Sequence, residues 1–241
     1  MIIQERRDKI LSIVKERKYC TINYLSHTLC VAPITIRRDL QEMERAGLIH
    51  RCFGGATVPD YENREVPFEV RNQSSSSVKE QLAKKAAKLI KTGDVVFLDA
   101  SSTVSRITEY LSPEQNLIVV TNSTLVAEKL KEKQIRCYLT GGSPVQNSYA
   151  LVGSLAEQTI SGFNANICFF SSQGISKDGT ISDQSERETA LRKLMIRNSK
   201  IQYFLFDGSK YDKHLAFRLG PVQNITGFIT DLTVEFPTEN L

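Results

Sequence analysis

Two groups of side chains in this 241-residue chain are of types and spacings that do chemistry, and they lie far apart in sequence. The first is cationic. Arg37 and Arg38 stand together behind Thr35 in Thr35-Ile36-Arg37-Arg38-Asp39-Leu40, and Arg51 follows farther on. Guanidinium groups pair bidentately with phosphate oxygens and with the major-groove edge of guanine, so the chemistry implied is recognition of a duplex. The second group is polar and recurs behind short apolar runs: Asp99, Ser101, Ser102 and Thr103; Thr121, Asn122 and Ser123; Gly141 and Gly142; Ser171 to Gly174, which includes Gln173; and Asp207 to Lys210. Hydroxyls, backbone N–H groups and a lysine suit a small polar anion such as phosphate. Such residues are also ordinary turn formers and caps when met singly, and it is their recurrence in five loops that points to a site.

The elements that must carry the first group are helices of a helix-turn-helix. Pro33 suits a first helical position, where its missing N–H costs nothing, and Gly47 suits a left-handed cap, so a helix is predicted over Pro33 to Ala46. At about 100° per residue Ile36, Leu40 and Met43 share one face, while Thr35, Arg38, Gln41, Glu42 and Arg45 point away and Arg37 flanks them. A packing helix is predicted over Glu5 to Lys18 through Ile10, Leu11, Ile13 and Val14. A short helix follows from Ile22 to Leu29, with Thr21 as its N-cap. The helix-turn-helix thus spans Cys20 to Asp39, turns on Cys30-Val31-Ala32, and places Arg37 and Arg38 near the end of a recognition helix that reaches base edges and phosphates. Thr21 and Thr35 are counted with the arginines as contacts to DNA. Leu48 to Val58 reads as a hairpin turning on Gly54-Gly55, a wing whose Arg51 approaches the phosphate backbone.

The second group requires strands that end where the polar residues begin. Val95 to Leu98, Leu117 to Val120, Ile135 to Leu139, Ile167 to Phe170 and Gln202 to Phe206 are short buried-strand runs, with helices predicted over Val78 to Lys91 and from Thr124. Strands alternating with helices imply a mostly parallel sheet covered on both faces, and ligands of such sheets bind at the carboxyl ends of the strands. Between the two regions, residues 59–76 hold Pro59, Pro67, a charged run and Ser74-Ser75-Ser76, too little apolar surface to build a core, and read as a linker. The expected division is 1–58, linker 59–76 and 77–241.

Composition narrows the field. With 41% hydrophobic and 24% charged residues the chain has a globular composition, and no run approaches the roughly 20 apolar residues of a membrane span. No leader is read at the amino terminus, so a cytoplasmic location is expected. The net charge of +4 resides in residues 1–58, which hold ten Lys/Arg against six Asp/Glu, whereas the remainder holds 21 of each. That is where a phosphate-binding region is needed. Cys20, Cys30, Cys52, Cys137 and Cys168 form no CxxC pair or Cys/His cluster, so free thiols and neither metal nor cofactor are expected. No P-loop, GxGxxG or HExxH occurs. Asp99, Glu188 and Asp207 are the acidic candidates for proton transfer, and His214 is the only histidine of the second region. An enzyme is therefore the alternative to a regulator.

Thr35-Ile36-Arg37-Arg38-Asp39-Leu40, Gly47-Leu48-Ile49 and Gly54-Gly55-Ala56 resemble the winged helix-turn-helix of the DeoR family of bacterial transcriptional regulators. The resemblance continues through Asp99 to Thr103, Val120 to Ser123, Gly141-Gly142, Gly174-Ile175-Ser176, Glu188 with Met195-Ile196, and Asp207 to Tyr211, so it covers nearly the whole chain. Ala32 stands where that family usually has a serine cap, Cys52-Phe53 replace Val-His before the wing glycines, Ser101 replaces a glycine, and Gln173 stands at an often acidic position. The resemblance implies an α/β fold for the larger domain similar to ribose-5-phosphate isomerase. It also implies a repressor of a carbohydrate-catabolism operon that binds a double-stranded operator as a homo-oligomer, dimer or tetramer. Its DNA affinity would be controlled by a phosphorylated sugar or related metabolite at the strand-end loops, with Glu188 added to the effector contacts. The alternative keeps the same fold as a sugar-phosphate isomerase-like enzyme with an appended DNA-binding domain.

Overall fold

The structure is a computed structural model, and it describes residues 2–17, 19–46, 48–52, 54–57 and 67–237. Gly47, Phe53, the end of the wing at Val58 and linker residues 59–66 lie outside the described residues. The chain divides into two compact units, Met1–Arg64 and Glu65–Leu241.

In the first unit, helices α1 (Ile3–Arg17), α2 (Ile22–Leu29) and α3 (Pro33–Arg45) pack around Ile10, Val14, Leu25, Ile36, Leu40 and Met43. The boundaries follow local chemistry. Thr21 Oγ1 accepts the Tyr24 N–H at 3.0 Å and caps α2, while α3 opens on Pro33 with no side-chain cap from Ala32. Cys30 ends α2 in the left-handed region at φ 51°. The sheet differs from a two-stranded hairpin. Strands β1 (Tyr19–Thr21), β2 (His50–Cys52) and β3 (Gly55–Thr57) form an antiparallel sheet in the order β1-β3-β2. The extra strand explains Gly55, because a Cβ there would lie 2.2 Å from the Cys20 carbonyl oxygen. Three residues ahead of a helix are too few to show strand periodicity in the sequence.

In the second unit, six parallel strands form the sheet β14-β12-β9-β4-β5-β6, made of β4 (Val95–Leu98), β5 (Ile118–Thr121), β6 (Arg136–Leu139), β9 (Ala165–Phe170), β12 (Ser199–Leu205) and β14 (Gly227–Ile229). Small antiparallel pieces lie beside it: β7 (Ser143–Pro144) with β8 (Leu151–Val152), and β10 (Gly174–Ile175) with β11 (Thr180–Asp183) and β13 (Phe217–Pro221). Five helices follow in the chain: α4 (Phe68–Gln73), α5 (Ser76–Ala87), α6 (Thr124–Glu132), α7 (Ser154–Ser161) and α8 (Glu186–Arg197). Alternation along the strands feeds two cores. Val96, Leu98, Val119 and Phe169 pack with Leu82 and Ala86 of α5 and Val126 and Leu130 of α6, while Phe97, Val120, Phe170 and Phe204 pack with Ala156 and Ile160 of α7 and Leu191 and Met195 of α8. Both faces are covered, as the uninterrupted apolar runs require.

Two expectations need correcting. The second half of the linker is structured: Phe68 is 2% exposed, meets the Tyr149 ring edge to face at a centroid distance of 4.9 Å, and begins α4. One buried aromatic ring supplies the apolar surface that the composition of 59–76 as a whole does not. The helix predicted over Val78 to Lys91 instead runs from Ser76 to Ala87, and Leu89 beyond it is 38% exposed. Among the described residues no helix is long and apolar enough to cross a membrane.

Candidate functional site

The first unit presents a cationic helix face. Ile36, Leu40 and Met43 of α3 are buried, which leaves Arg37 and Arg38 exposed to solvent in the first half of the helix, with Thr35 half-buried beside them. Asp39, next to the arginines in sequence, has the opposite fate. It is buried and accepts Arg6 Nε at 2.5 Å and Arg7 Nε at 3.2 Å, so the carboxylate clamps α1 to α3. Arg51 is exposed on β2, where its backbone N–H donates to Glu44 at 2.8 Å and its side chain lies 3.7 Å from the same carboxylate. The wing strand is thereby tied to the recognition helix. Thr21 Oγ1 accepts a cap bond, which leaves its O–H as the group available to a phosphate.

In the second unit the sheet order places a topological switch between β4 and β9. Successive strands run outward from β4 through β5 to β6, and from β9 through β12 to β14 on the other side. The crevice at the carboxyl ends of the strands flanking such a switch is where open parallel sheets bind ligands. Asp99 follows β4, Ser171 to Gln173 follow β9, Thr121 to Ser123 close β5, and Asp207 follows β12, so four adjacent strand ends converge there.

Hydrogen bonding separates the predicted residues into those already committed and those with an open valence. Ser101 Oγ accepts the Val104 N–H, Thr121 Oγ1 accepts the Ser123 N–H, and Ser123 Oγ caps α6 through Val126. These three serve turns and caps. Gly141 and Gly142 close the edge strand β6 with φ of 69° and 110°, and a Cβ on Gly142 would lie 2.5 Å from the Val152 carbonyl oxygen, so turn geometry accounts for the pair. Gly174 opens β10 with its α-carbon packed against Lys213. In contrast, Thr103 Oγ1, Asn122 Oδ1, Gln173 Nε2, Glu188 Oε2 and Asp207 Oδ2 are all buried without a hydrogen-bond partner. Buried polar atoms are nearly always paired in folded proteins, and five unpaired ones on predicted site residues mark where a polar ligand would supply partners.

Charge at this place comes from more residues than Lys210. Lys210 Nζ donates to Ser171 Oγ at 2.6 Å, and Lys79 Nζ on α5 donates to Ser102 Oγ at 3.3 Å and to the carbonyl of Arg71. Burial lowers Lys79 to about 7, reinforced by the charge of Lys210 and opposed by Asp207. Burial likewise lowers Lys210 to about 8, against the pull of Asp207 and with the help of Arg71. Burial is the main cause for both lysines, and a bound anion would favour the charged form of each. A second group that the sequence reading passed over is Arg192 on α8, whose guanidinium reaches Asp99 and Asp183 at 2.8 Å each and Glu188 at 3.6 Å. Burial opposes its charge, but Asp183, Glu188 and Asp99 outweigh that and hold it protonated. Asp99 is therefore engaged as a structural anchor: besides Arg192 it accepts the N–H groups of Ser101 and Ser171, and so pins the β4 and β9 loops together. A signal for both missed residues exists in the sequence. Lys79 shares a helical face with Leu82, Ala83 and Ala86, and Arg192 shares one with Leu191 and Met195, so each is a charge on an apolar stripe.

A winged helix-turn-helix with a cationic recognition helix, carried on the same chain as a parallel-sheet domain with a polar crevice, defines a DNA-binding regulator with a separate sensor. Residues 6–62 match the DeoR-like helix-turn-helix domain and residues 74–232 the DeoR C-terminal sensor domain. The chain belongs to the DeoR family of transcriptional regulators. Among curated relatives, the uncharacterized HTH-type transcriptional regulator YulB of Bacillus subtilis is 33% identical over 232 residues, 96% of this chain and 90% of that one. The glycerol-3-phosphate regulon repressor of Escherichia coli is 29% identical over 228 residues, 94% of this chain and 90% of that one. The solved ribose 5-phosphate isomerase A of Methanocaldococcus jannaschii covers 57% of this chain and 55% of its own at a TM-score of 0.44 and 17% identity, a likeness that says nothing of chemistry.

Proposed function

We propose that this DNA-binding regulator is a repressor of a carbohydrate-catabolism operon, and that a phosphorylated sugar or related metabolite bound at the β4–β9 crevice controls its affinity for the operator. The observation that carries the reading is the set of buried, unpartnered polar atoms on Thr103, Asn122, Gln173 and Asp207 in the strand-end regions that also hold Lys210 and face Lys79, with a fifth on Glu188 of α8. Two ammonium groups supply the charge for a phosphate, and mixed donors and acceptors read hydroxyls, as a sugar phosphate requires. The relative named as the glycerol-3-phosphate regulon repressor supports the reading of a repressor. A homo-oligomer, dimer or tetramer, presents paired recognition helices to half-sites about 34 Å apart or a multiple of that.

The test is a thermal-shift screen of sugar phosphates against the full chain, followed by operator binding with and without each stabilising compound. A phosphate ester that stabilises the protein and alters operator affinity is the expected result. Lys210→Ala should keep DNA binding and lose the response, and a normal response in that variant would remove Lys210 from the site. Turnover of ribose 5-phosphate by the purified protein would overturn the reading in favour of an enzyme.

A further inference from the structure

The crevice is wired to α4, the first described element that follows residues 58–66 in the chain. At six residues α4 is too short to persist without tertiary support, since isolated helices below roughly 12–15 residues are marginal in water. Its amino-terminal end is fixed by Phe68, whose N–H donates to the Asn147 carbonyl at 2.9 Å and whose ring packs on Tyr149, and by Glu69, which accepts the Tyr149 O–H at 2.7 Å. Its carboxyl-terminal end is fixed by two cations. Lys79 Nζ donates to the Arg71 carbonyl, and Arg106 donates to the Asn72 carbonyl at 2.7 Å and to the Asn72 side chain at 3.0 Å. Cations at the last carbonyls of a helix complement its dipole. Lys79 is thus shared: one bond holds α4 and another goes to Ser102 in the crevice.

We propose that Lys79 is the residue through which the crevice controls α4, an anion bound beside Ser102 and Lys210 drawing the ammonium away from the Arg71 carbonyl and loosening the end of the helix. The inference rests on the anion-binding reading above. Both bonds are charge-assisted on the ammonium side, but a phosphate oxygen carries formal negative charge and the Arg71 carbonyl does not, so Coulomb attraction in this buried place pulls the ammonium toward the ligand. Arg106 keeps its own hold on Asn72 and is itself held by Glu80 at 3.1 Å, its Nε alone being buried without a partner. Loosening therefore affects Arg71 to Gln73 most and leaves Phe68 seated. Lys79 acts as a positioning residue for α4 as well as a ligand contact, and α4 is the segment by which the sensor continues into the linker.

Amide hydrogen exchange on the full-length protein tests this, with inorganic phosphate and glycerol 3-phosphate as separate probes. The expected result is slower exchange in residues 99–103 and 207–210 together with exchange at least several-fold faster in residues 71–73. In Lys79→Met the 71–73 amides should exchange fast from the start and not respond further, while Lys79→Arg, which restores a cation, should regain slow exchange. Protection of the crevice loops with no change in 71–73 would overturn the coupling and leave the anion site standing. No protection of the loops by either probe would overturn the anion reading and the coupling with it. The wild-type comparison decides the matter even if Lys79→Met does not fold.

Discussion

At the residue scale, the useful distinction is between polar side chains that complete their own loop and polar side chains left open. Ser101, Thr121 and Ser123 make the loops, Asp99 anchors them, and Thr103, Asn122 and Asp207 keep an atom in reserve. Sequence alone shows all of them as strand-end polar residues and cannot sort them, because sorting depends on which backbone N–H each oxygen meets. The lysines carry a pH signature. The folded-state values of about 7 for Lys79 and about 8 for Lys210 lie below the ordinary lysine value, so between those values and about 10.4 the unfolded chain binds more protons and stability rises with pH. An anion that pairs with the ammonium groups restores the protons, so binding takes up protons from about pH 7 upward, first at Lys79 and then at Lys210, and weakens as pH rises. The charged groups that act on these values are Lys210, Asp207, Arg71 and Arg106 around Lys79, and Asp207, Arg71, Asp99 and Asp183 around Lys210. Calorimetric titration of phosphate in buffers of different ionisation enthalpy should register the uptake, and Lys79→Met with Lys210→Met should abolish it; equal heats in every buffer with the wild type would refute it. Arg192 has a different signature. Removing its charge in Arg192→Met leaves Asp99, Asp183 and Glu188 buried without the guanidinium that neutralises them, a loss on the order of 3–5 kcal/mol that a denaturant melt will show.

At the element scale, the legible parts of the fold are those whose ends carry their own chemistry. Thr21 and Pro33 mark α2 and α3 to the residue, and the Val/Ile/Phe runs mark five of the six parallel strands. What escaped lacks such marks. Strand β14 has three residues and begins at Gly227, β1 is a three-residue lead into a helix, and α4 sits in a stretch dominated by proline, charge and serine. Their place is fixed by partners distant in sequence: Tyr203 for Gly227, Thr57 for Tyr19 and Tyr149 for Phe68. Two element-level outcomes follow in the first unit. Cys30 holds a left-handed conformation that costs a non-glycine residue about 1 kcal/mol, so Cys30→Gly should raise stability by a few tenths to 1 kcal/mol and move the melt of the first unit upward. Asp39→Ala removes the acceptor for Arg6 and Arg7 and should cost about 1.5–3 kcal/mol, detaching α1 from α3 and weakening DNA binding through the fold, without loss of a phosphate contact. An Asp39→Ala protein as stable as the wild type would show that the clamp is ornamental.

At the scale of the whole molecule, the separation of the positive charge from the crevice makes the two activities separable by mutation and by melting. Arg37 and Arg38 are exposed on α3 within a core independent of the sheet, so Arg37→Ala or Arg38→Ala should weaken operator binding by about 1–3 kcal/mol and leave the melting temperature in place. In calorimetry the units Met1–Arg64 and Glu65–Leu241 should give two transitions. A phosphate ester at about a hundred times its Kd adds roughly 2.7 kcal/mol to the unit that binds it. For a domain of this size that is a rise on the order of 5–10 °C, and it should move the sensor transition alone. Operator DNA should move the other. Lys210→Ala should cancel the first shift and keep the second, and Arg38→Ala should diminish the second and keep the first. A wild-type protein in which the phosphate ester and the operator each move both transitions equally would mean that one site serves both ligands, and the assignment of recognition to α3 and sensing to the strand ends would fail.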